Sequence, residues 1–415
     1  MNLERREIFG AGWIEENPRD VKKADLVVGI PSYNEADCIS NVTQQAAAGL
    51  QTYFRDLRSV LINCDNCSTD RTRDAFLSVE TPVAKIYIST PKGVRGKGSN
   101  FRNLFQKAVE LDAKAIVVVD ADLLSITPEW IKNLAEPLFN EYGYVVPIYV
   151  RDKYDGTITN HIAYPLTRAL YGRRIRQPIA GDFGFSGEMA RIYMESELWD
   201  EMVCLFGIDI WMTTLAINTN RAICQAFLAG PKTHRAREPA AGLDPMFKDI
   251  LSTMFRLMIH FEDCWRNVRW SKPTPIFGLD AAGAEVPPSV QVHEERLYDS
   301  FAEGFRRFLP IYENALSPEV FLKLKEINGI PYEQYELPPA LWAKILYEFA
   351  LAYSERTAPR DDLIESLIPL YLGRTGSYVR ATKGMDMRGV EEYIEEQCLV
   401  FEETKNFLME RCQKV

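Results

Sequence analysis

The pentapeptide Ala115-Ile116-Val117-Val118-Val119 is apolar on both faces and runs directly into Asp120-Ala121-Asp122. A strand without a polar face must be covered on two sides, which is the situation of a central strand in a parallel sheet flanked by helices. The sequence before it fits that frame. Leu26-Val27-Val28-Gly29-Ile30, Val60-Leu61-Ile62 and Ile86-Tyr87-Ile88 read as strands, and Ala36 to Leu50 and Ser99 to Leu111 as crossover helices. Further on, Tyr144 to Val150 reads as a strand, Thr157 to Arg176 as a helix, and Gly181 to Gly187 as a second glycine-rich turn. The fold class expected is α/β with a mostly parallel, Rossmann-like sheet. In such sheets ligands bind beyond the carboxyl ends of the strands, so the polar residues following each strand carry the chemistry.

The chain has 415 residues, enough for two domains. Residues 1–23 are expected to be an N-terminal extension, 24–270 the α/β domain, 271–290 a Pro- and Gly-rich linker, and 291–415 a helical region. In that region Leu297, Phe301, Phe305 and Phe308 share one helix face. Ser317-Pro318-Glu319 opens a helix that Asn328-Gly329 ends, and Leu341 to Tyr353 is apolar almost all round, as in a bundle core or an oligomer contact. A homodimer is the expected assembly. A net charge of −10 argues against non-specific nucleic-acid binding, and no apolar run approaches the roughly 20 residues of a membrane span. The start lacks a secretory signal pattern and the eight cysteines are scattered, so a cytoplasmic protein with reduced thiols is expected.

Asp120 and Asp122, two residues apart at a strand end, suit a divalent cation and a sugar or ribose hydroxyl together, because hard cations prefer oxygen ligands. Asp65-Asn66-Cys67-Ser68-Thr69-Asp70 follows the second strand. Its Ser-Thr-Asp end is helix-cap chemistry, while Asp65 is expected to face the base or ribose of a nucleotide. Cys64 and Cys67 have no second pair at zinc-ribbon spacing. Lys97 lies in a glycine loop, Gly93 to Gly98, suited to phosphate oxygens but of neither P-loop nor dinucleotide-fingerprint order. Of four histidines only His234 stands in a basic cluster, Gly230 to Arg237, where a diphosphate and its metal would dock; His161, His260 and His293 are expected to be packing or surface residues.

Taken in order, Ile30-Pro31-Ser32-Tyr33-Asn34-Glu35, Asp65 to Asp70, Gly96-Lys97-Gly98, Asp120-Ala121-Asp122 and Thr233-His234-Arg235 resemble a GT-A glycosyltransferase. Within that fold they resemble the retaining glucosyl-3-phosphoglycerate synthases and the relatives that make glucosylglycerate or mannosyl-3-phosphoglycerate, over about residues 24–245. The resemblance implies a retaining hexosyltransferase that uses a nucleoside diphosphate sugar, UDP-glucose before GDP-mannose, and a small hydroxy-acid acceptor, glycerate or 3-phosphoglycerate. It implies that Pro31, Ser32, Tyr33, Asn34, Glu35, Asp65, Asn66, Lys97, Asp120 and Ala121 line the nucleotide-sugar site, with Phe206, Gly207 and Ile208 beside the sugar. Asp122 and His234 would hold Mg²⁺ or Mn²⁺. Asp209 and Asp182 are the carboxylates placed near the donor hexose. Gly156, Thr157, Thr159, Arg235 and Arg237 would meet the acceptor. Thr157 stands where the family has an arginine and Ala236 where it has an asparagine, which leaves the acceptor's phosphorylation open. Two other readings remain: a sugar nucleotidyltransferase, which normally carries a Gly-rich loop where this chain has Pro31 to Glu35, and a non-catalytic sugar-nucleotide-binding protein.

Overall fold

A computed structural model describes residues 14–235, 243–279 and 287–412. They form two compact units. One comprises the residues up to Val150 together with Ile179–Glu238 and Thr274–Pro287; the other comprises Arg151–Pro178, Pro239–Pro273 and Pro288–Val415. The units therefore do not follow the boundary expected near residue 270. Composition marks loops, whereas burial decides membership: Tyr164 packs in one core cluster with Tyr378, Val379, Val390, Ile394 and Cys398. The buried Arg168 guanidinium pairs with Glu395 and Glu402.

The first unit is built on a nine-stranded mixed sheet. Its strands are β1 (Ile14–Glu16), β2 (Leu26–Ser32), β3 (Ser59–Asp65), β4 (Ala84–Ser89), β5 (Ala115–Val118), β6 (Tyr144–Val150), β7 (Phe183–Ser186), β8 (Ile223–Pro231) and β9 (Ile276–Phe277), in the order β1-β4-β3-β2-β5-β7-β6-β8-β9. Strands β4, β3, β2 and β5 run parallel, and every residue of β2 and β5 is buried, as the all-apolar runs require. The expected turn from Gly181 to Gly187 is instead mostly strand β7, antiparallel to both β5 and β6. Its glycine serves close packing, since a Cβ at Gly184 would lie 2.3 Å from the Leu134 carbonyl of the helix Pro128–Ala135. The expected linker likewise supplies β9, which pairs with β8.

This topology gathers one edge. Val118 at the end of β5 pairs with Phe183 at the start of β7, so the residues after β5 meet those before β7. A second reversal makes β6 parallel to β5, and β8 parallel to β6, which brings the end of β8 to the same edge.

The second unit is helical, with helices Tyr164–Tyr171, Leu243–His260, Glu294–Arg307, Pro318–Asn328, Pro339–Glu355, Arg360–Thr382 and Met387–Cys412 among its elements. Phe301 and Phe305 are buried on the expected face, and Pro339–Glu355 is buried along nearly its whole length. The single helix expected from Thr157 to Arg176 is shorter and begins with a π-helical turn, Thr159–Ala163. No helix among the described residues is long and apolar enough to cross a membrane.

His161, on that π-helical turn, is fully buried with its ring edge-on to Tyr378 at 4.6 Å. Burial first, then the charges of Arg374 and Arg176, hold its pKa well below the ordinary imidazole value. The unfolded chain thus takes up a proton that the folded unit refuses. This contribution is complete above about pH 6.5 and is lost as pH falls below it, at up to about 1.4 kcal/mol per pH unit. Urea unfolding at pH 7.5 and 5.5 should show wild type losing on the order of 1 kcal/mol more than His161→Gln; equal losses would contradict the assignment.

Candidate functional site

The loops after β2 and β3 are stitched together by backbone donors and short polar side chains. Asn34 N–H donates to Ser68 Oγ (2.8 Å), Glu35 N–H to Thr72 Oγ1 (2.8 Å), Ala36 N–H to Asp70 Oδ2 (3.1 Å) and Thr69 N–H to Asn34 Oδ1 (2.9 Å). Asp70 also accepts from Thr72 N–H (2.9 Å), in the first turn of the helix Thr72–Ser78, so Asp70 ties down that turn while Ser68, Thr69 and Asp70 clamp a neighbouring loop. Asp65 lies beneath this seam, fully buried. It accepts from Ser32 Oγ (2.9 Å), Ser68 N–H (2.7 Å) and Tyr87 OH (3.0 Å), so both oxygens are engaged within the protein and bind the loops rather than present themselves to a base.

At the carboxyl edge of the sheet stands a buried charge network. Lys97 opens the helix Lys97–Glu110, and its ammonium lies 2.9 Å from Asp120 Oδ1 and 3.3 Å from Asp209 Oδ2. Lys232, immediately after β8, reaches Asp120 Oδ2 at 3.2 Å, Asp182 Oδ2 at 2.6 Å and the Ala180 carbonyl at 2.7 Å. Asp182 precedes β7. Its Oδ1 accepts the backbone N–H of Asp120 (2.8 Å), and its Oδ2 also accepts from Tyr149 OH. Burial alone would raise the pKa of Asp120, but the ammonium groups of Lys97 and Lys232 outweigh it and hold the carboxyl well below its usual range. For Lys97 burial works against the charge, yet Asp120, Asp209 and Asp182 together raise its pKa. Asp209 is raised, by burial first and by Asp120, with Lys97 opposing.

Asp122 and His234 complete the cluster. The segment after β8 bridges back onto the loop after β5: Leu123 pairs antiparallel with His234, Leu124 N–H donates to the Thr233 carbonyl (3.0 Å), and Arg235 N–H to the Asp122 carbonyl (3.1 Å). This fixes His234 Nδ1 at 3.3 Å from Asp122 Oδ1. One ligand atom each of Asp120, Asp122 and His234 lies within 4.8 Å of the other two. Two carboxylates and an imidazole form a donor set that fits Mg²⁺ or Mn²⁺, and the His234 side chain is 37% exposed, which leaves one side open. Among the described residues one other group could hold a metal, Glu35, Asp37 and Cys38, but Arg235 pairs with both of its carboxylates. Cys64 and Cys67 belong to neither; all eight cysteines are free, and burial pushes the Cys64 thiol up.

Gly181 has φ +87°, and a Cβ there would come 2.4 Å from Asp120 Oδ2 and 3.0 Å from Lys97 Nζ. Gly181→Ala should therefore cost about 1–3 kcal/mol of backbone strain and displace Asp120. A melting curve and a Mn²⁺ titration check this; a variant like wild type in both would show that the turn yields.

The remaining expected residues divide clearly. Pro31 and Ser32 end β2 and are buried, Tyr33 is exposed, and Asn34 takes a left-handed φ of 55°. Glu35 is held by Arg235 (2.9 Å), and Asn66 Nδ2 donates to the Gly96 carbonyl (3.0 Å). Ala121 is buried. Phe206 is exposed, and Gly207 precedes the helix Ile208–Asn218, where the fully buried Ile208 side chain packs inward instead of beside a sugar. Asp182 is 0% exposed, with both oxygens engaged by the Asp120 N–H and the Lys232 ammonium. Gly156, Thr157 and Thr159 belong to the helical unit, where Thr157 Oγ1 is hydrogen-bonded to Tyr371 OH (2.5 Å) and Thr159 is buried. Arg235 is committed to Glu35 and Asp37, and Arg237 lies outside the described residues. From sequence Lys232 stood only within the basic cluster Gly230 to Arg237, with no contact to the carboxylates assigned to it, and Tyr149 had no role. The one available signal was position, since Lys232 ends an apolar strand two residues before His234.

Comparison with known proteins adds the family. Residues 27–197 match the model described as glycosyl transferase family 2. Over those residues the chain is similar to family 2 glycosyltransferases. No curated protein matches the chain. Among solved structures it is similar to glucosyl-3-phosphoglycerate synthase from Mycobacterium tuberculosis in complex with Mn²⁺, UDP and phosphoglyceric acid, at 22% identity and TM-score 0.45, over 56% of this chain and 78% of that one. The same enzyme with Mg²⁺ and UDP gives 22% identity and TM-score 0.45, over 62% of this chain and 83% of that one.

Proposed function

We propose that this glycosyltransferase is metal-dependent and moves a hexose from a nucleoside diphosphate sugar to a small hydroxy acid. The observation that carries the proposal is the Asp120, Asp122 and His234 cluster at the carboxyl edge of the sheet, within 4.8 Å and backed by the buried Lys232 and the partly buried Lys97. Asp122 and His234, with Asp120 beside them, would hold Mg²⁺ or Mn²⁺, which when bound supplies positive charge against the leaving diphosphate. The chain's own groups do the rest. Asp120, kept ionised by Lys97 and Lys232, accepts a ribose hydroxyl. Asp209 Oδ1 is buried without a hydrogen-bond partner among the described residues, an acceptor suited to a hexose hydroxyl. Pro31 to Glu35 and Asn66, fixed by the loop seam, form the nucleotide wall.

UDP-glucose is the favoured donor and GDP-mannose its competitor, with glycerate and 3-phosphoglycerate as acceptors; these preferences, retention of configuration and a homodimer rest on the sequence resemblance. The test is a nucleotide-release assay with Mg²⁺ or Mn²⁺ and a metal-free control, crossing both donors with both acceptors. Release that needs one donor, one acceptor and metal supports the proposal. A donor that binds without release in any pair removes the acceptor assignment, and absence of donor binding removes the transferase reading. His234→Ala should weaken donor affinity in the presence of metal and leave metal-free affinity unchanged. Calorimetry with the donor decides, and identical affinities would remove His234 from the site.

A further inference from the structure

We propose that Lys232 is a positioning residue for this reaction: it sets the Asp120 to Asp122 turn through Asp182 without touching substrate. The inference rests on the metal-dependent reading above. The Lys232 side chain is 2% exposed, and its ammonium has three N–H donors for three acceptors, Asp120 Oδ2 (3.2 Å), Asp182 Oδ2 (2.6 Å) and the Ala180 carbonyl (2.7 Å). No donor remains for a ligand. The acceptors lie on two parts of the edge: the loop after β5, and the turn around Gly181 that leads into β7. The Tyr149 ring faces the ammonium at 4.9 Å, and its hydroxyl donates to the same Asp182 oxygen.

The consequence falls on Asp122. Asp182 Oδ1 accepts the Asp120 N–H, so the backbone from which Asp122 projects is held by a carboxylate that Lys232 in turn neutralises and orients. The same ammonium takes Asp120 Oδ2 while Lys97 takes Oδ1. Two residues further along, the Lys232 strand extension places His234 against Asp122. One lysine thus ties the backbone of the aspartate turn and the segment bearing the histidine into one fixed arrangement, the role that outer-shell groups play around metal ligands.

The experiment measures Mn²⁺ binding to the donor-free protein by electron paramagnetic resonance, with circular dichroism to confirm folding, and kcat and donor KM in parallel. Lys232→Met should weaken Mn²⁺ binding by about 10–100-fold and lower kcat more than it raises KM, with partial recovery in Lys232→Arg. If Lys232→Met does not fold, Tyr149→Phe decides; it leaves every charge in place, and a several-fold weakening in the same direction is expected. Mn²⁺ affinity within twofold of wild type in the folded Lys232→Met variant, or in Tyr149→Phe where that variant decides, overturns the proposal. Failure of the wild type to bind Mn²⁺, or binding unaffected by Asp122→Ala, instead overturns the metal reading and the positioning role with it, so the two failures are told apart.

Discussion

Asp122→Ala abolishes Mn²⁺ binding and lowers nucleotide release by roughly 10²–10³-fold, the range for removing one preorganised charge stabiliser from a transition state, while the protein keeps its melting temperature. The reason for the separation is local. Asp122 lies in a loop beyond β5, and the backbone pairing that holds the loop uses its carbonyl. Removing the carboxylate leaves His234 without its partner at 3.3 Å but leaves the Lys97, Asp120, Lys232 and Asp182 network whole. Calorimetric metal titration and the release assay are the measurements. Unchanged turnover in the folded variant would remove Asp122 from the site.

Asp182→Ala has the opposite signature: stability and activity fall together. The carboxylate is fully buried, and its loss strips the buried Lys232 ammonium of its shortest ion pair and the Asp120 N–H of its acceptor. Breaking a buried pair from one side typically costs about 3–5 kcal/mol, which for a unit of this size lowers the melting temperature on the order of 10 °C. Asp182→Asn keeps an acceptor for the Asp120 N–H and should lose less. Thermal unfolding of both variants checks this, and an alanine variant that melts with wild type would show that Lys232 finds another partner.

The central strands, their crossover helices and the polar ends of β2, β3 and β5 were legible in the sequence because their signals are local. A short apolar run closed by turn residues suits a buried strand, and a cluster such as Asp65 to Asp70 is turn and cap chemistry wherever it stands. Strand β7 was not legible. The glycines from 181 to 187 carry a turn signal, and only the approach of Gly184 to the Leu134 carbonyl shows that the one inside the strand serves packing. The interleaving of the two units was hidden for a related reason: the helix Tyr164–Tyr171 finds its apolar partners more than 200 residues away, in Val390, Ile394 and Cys398.

The sequence by itself determined that Asp120, Asp122 and Lys97 follow or flank strands of one parallel sheet, because parallel pairing places all carboxyl ends on one edge. It could also nominate His234, by its basic company. Only the tertiary structure decided what each group does there. Two antiparallel reversals, at β7 and β6, bring Asp182 and Lys232 to that edge from 62 and 112 residues beyond Asp120. Whether a carboxylate faces a ligand or is consumed by internal donors depends on how many donors the fold delivers to it, and that count is a property of three-dimensional packing, which makes Asp65 and Asp182 supports and leaves an oxygen of Asp209 open.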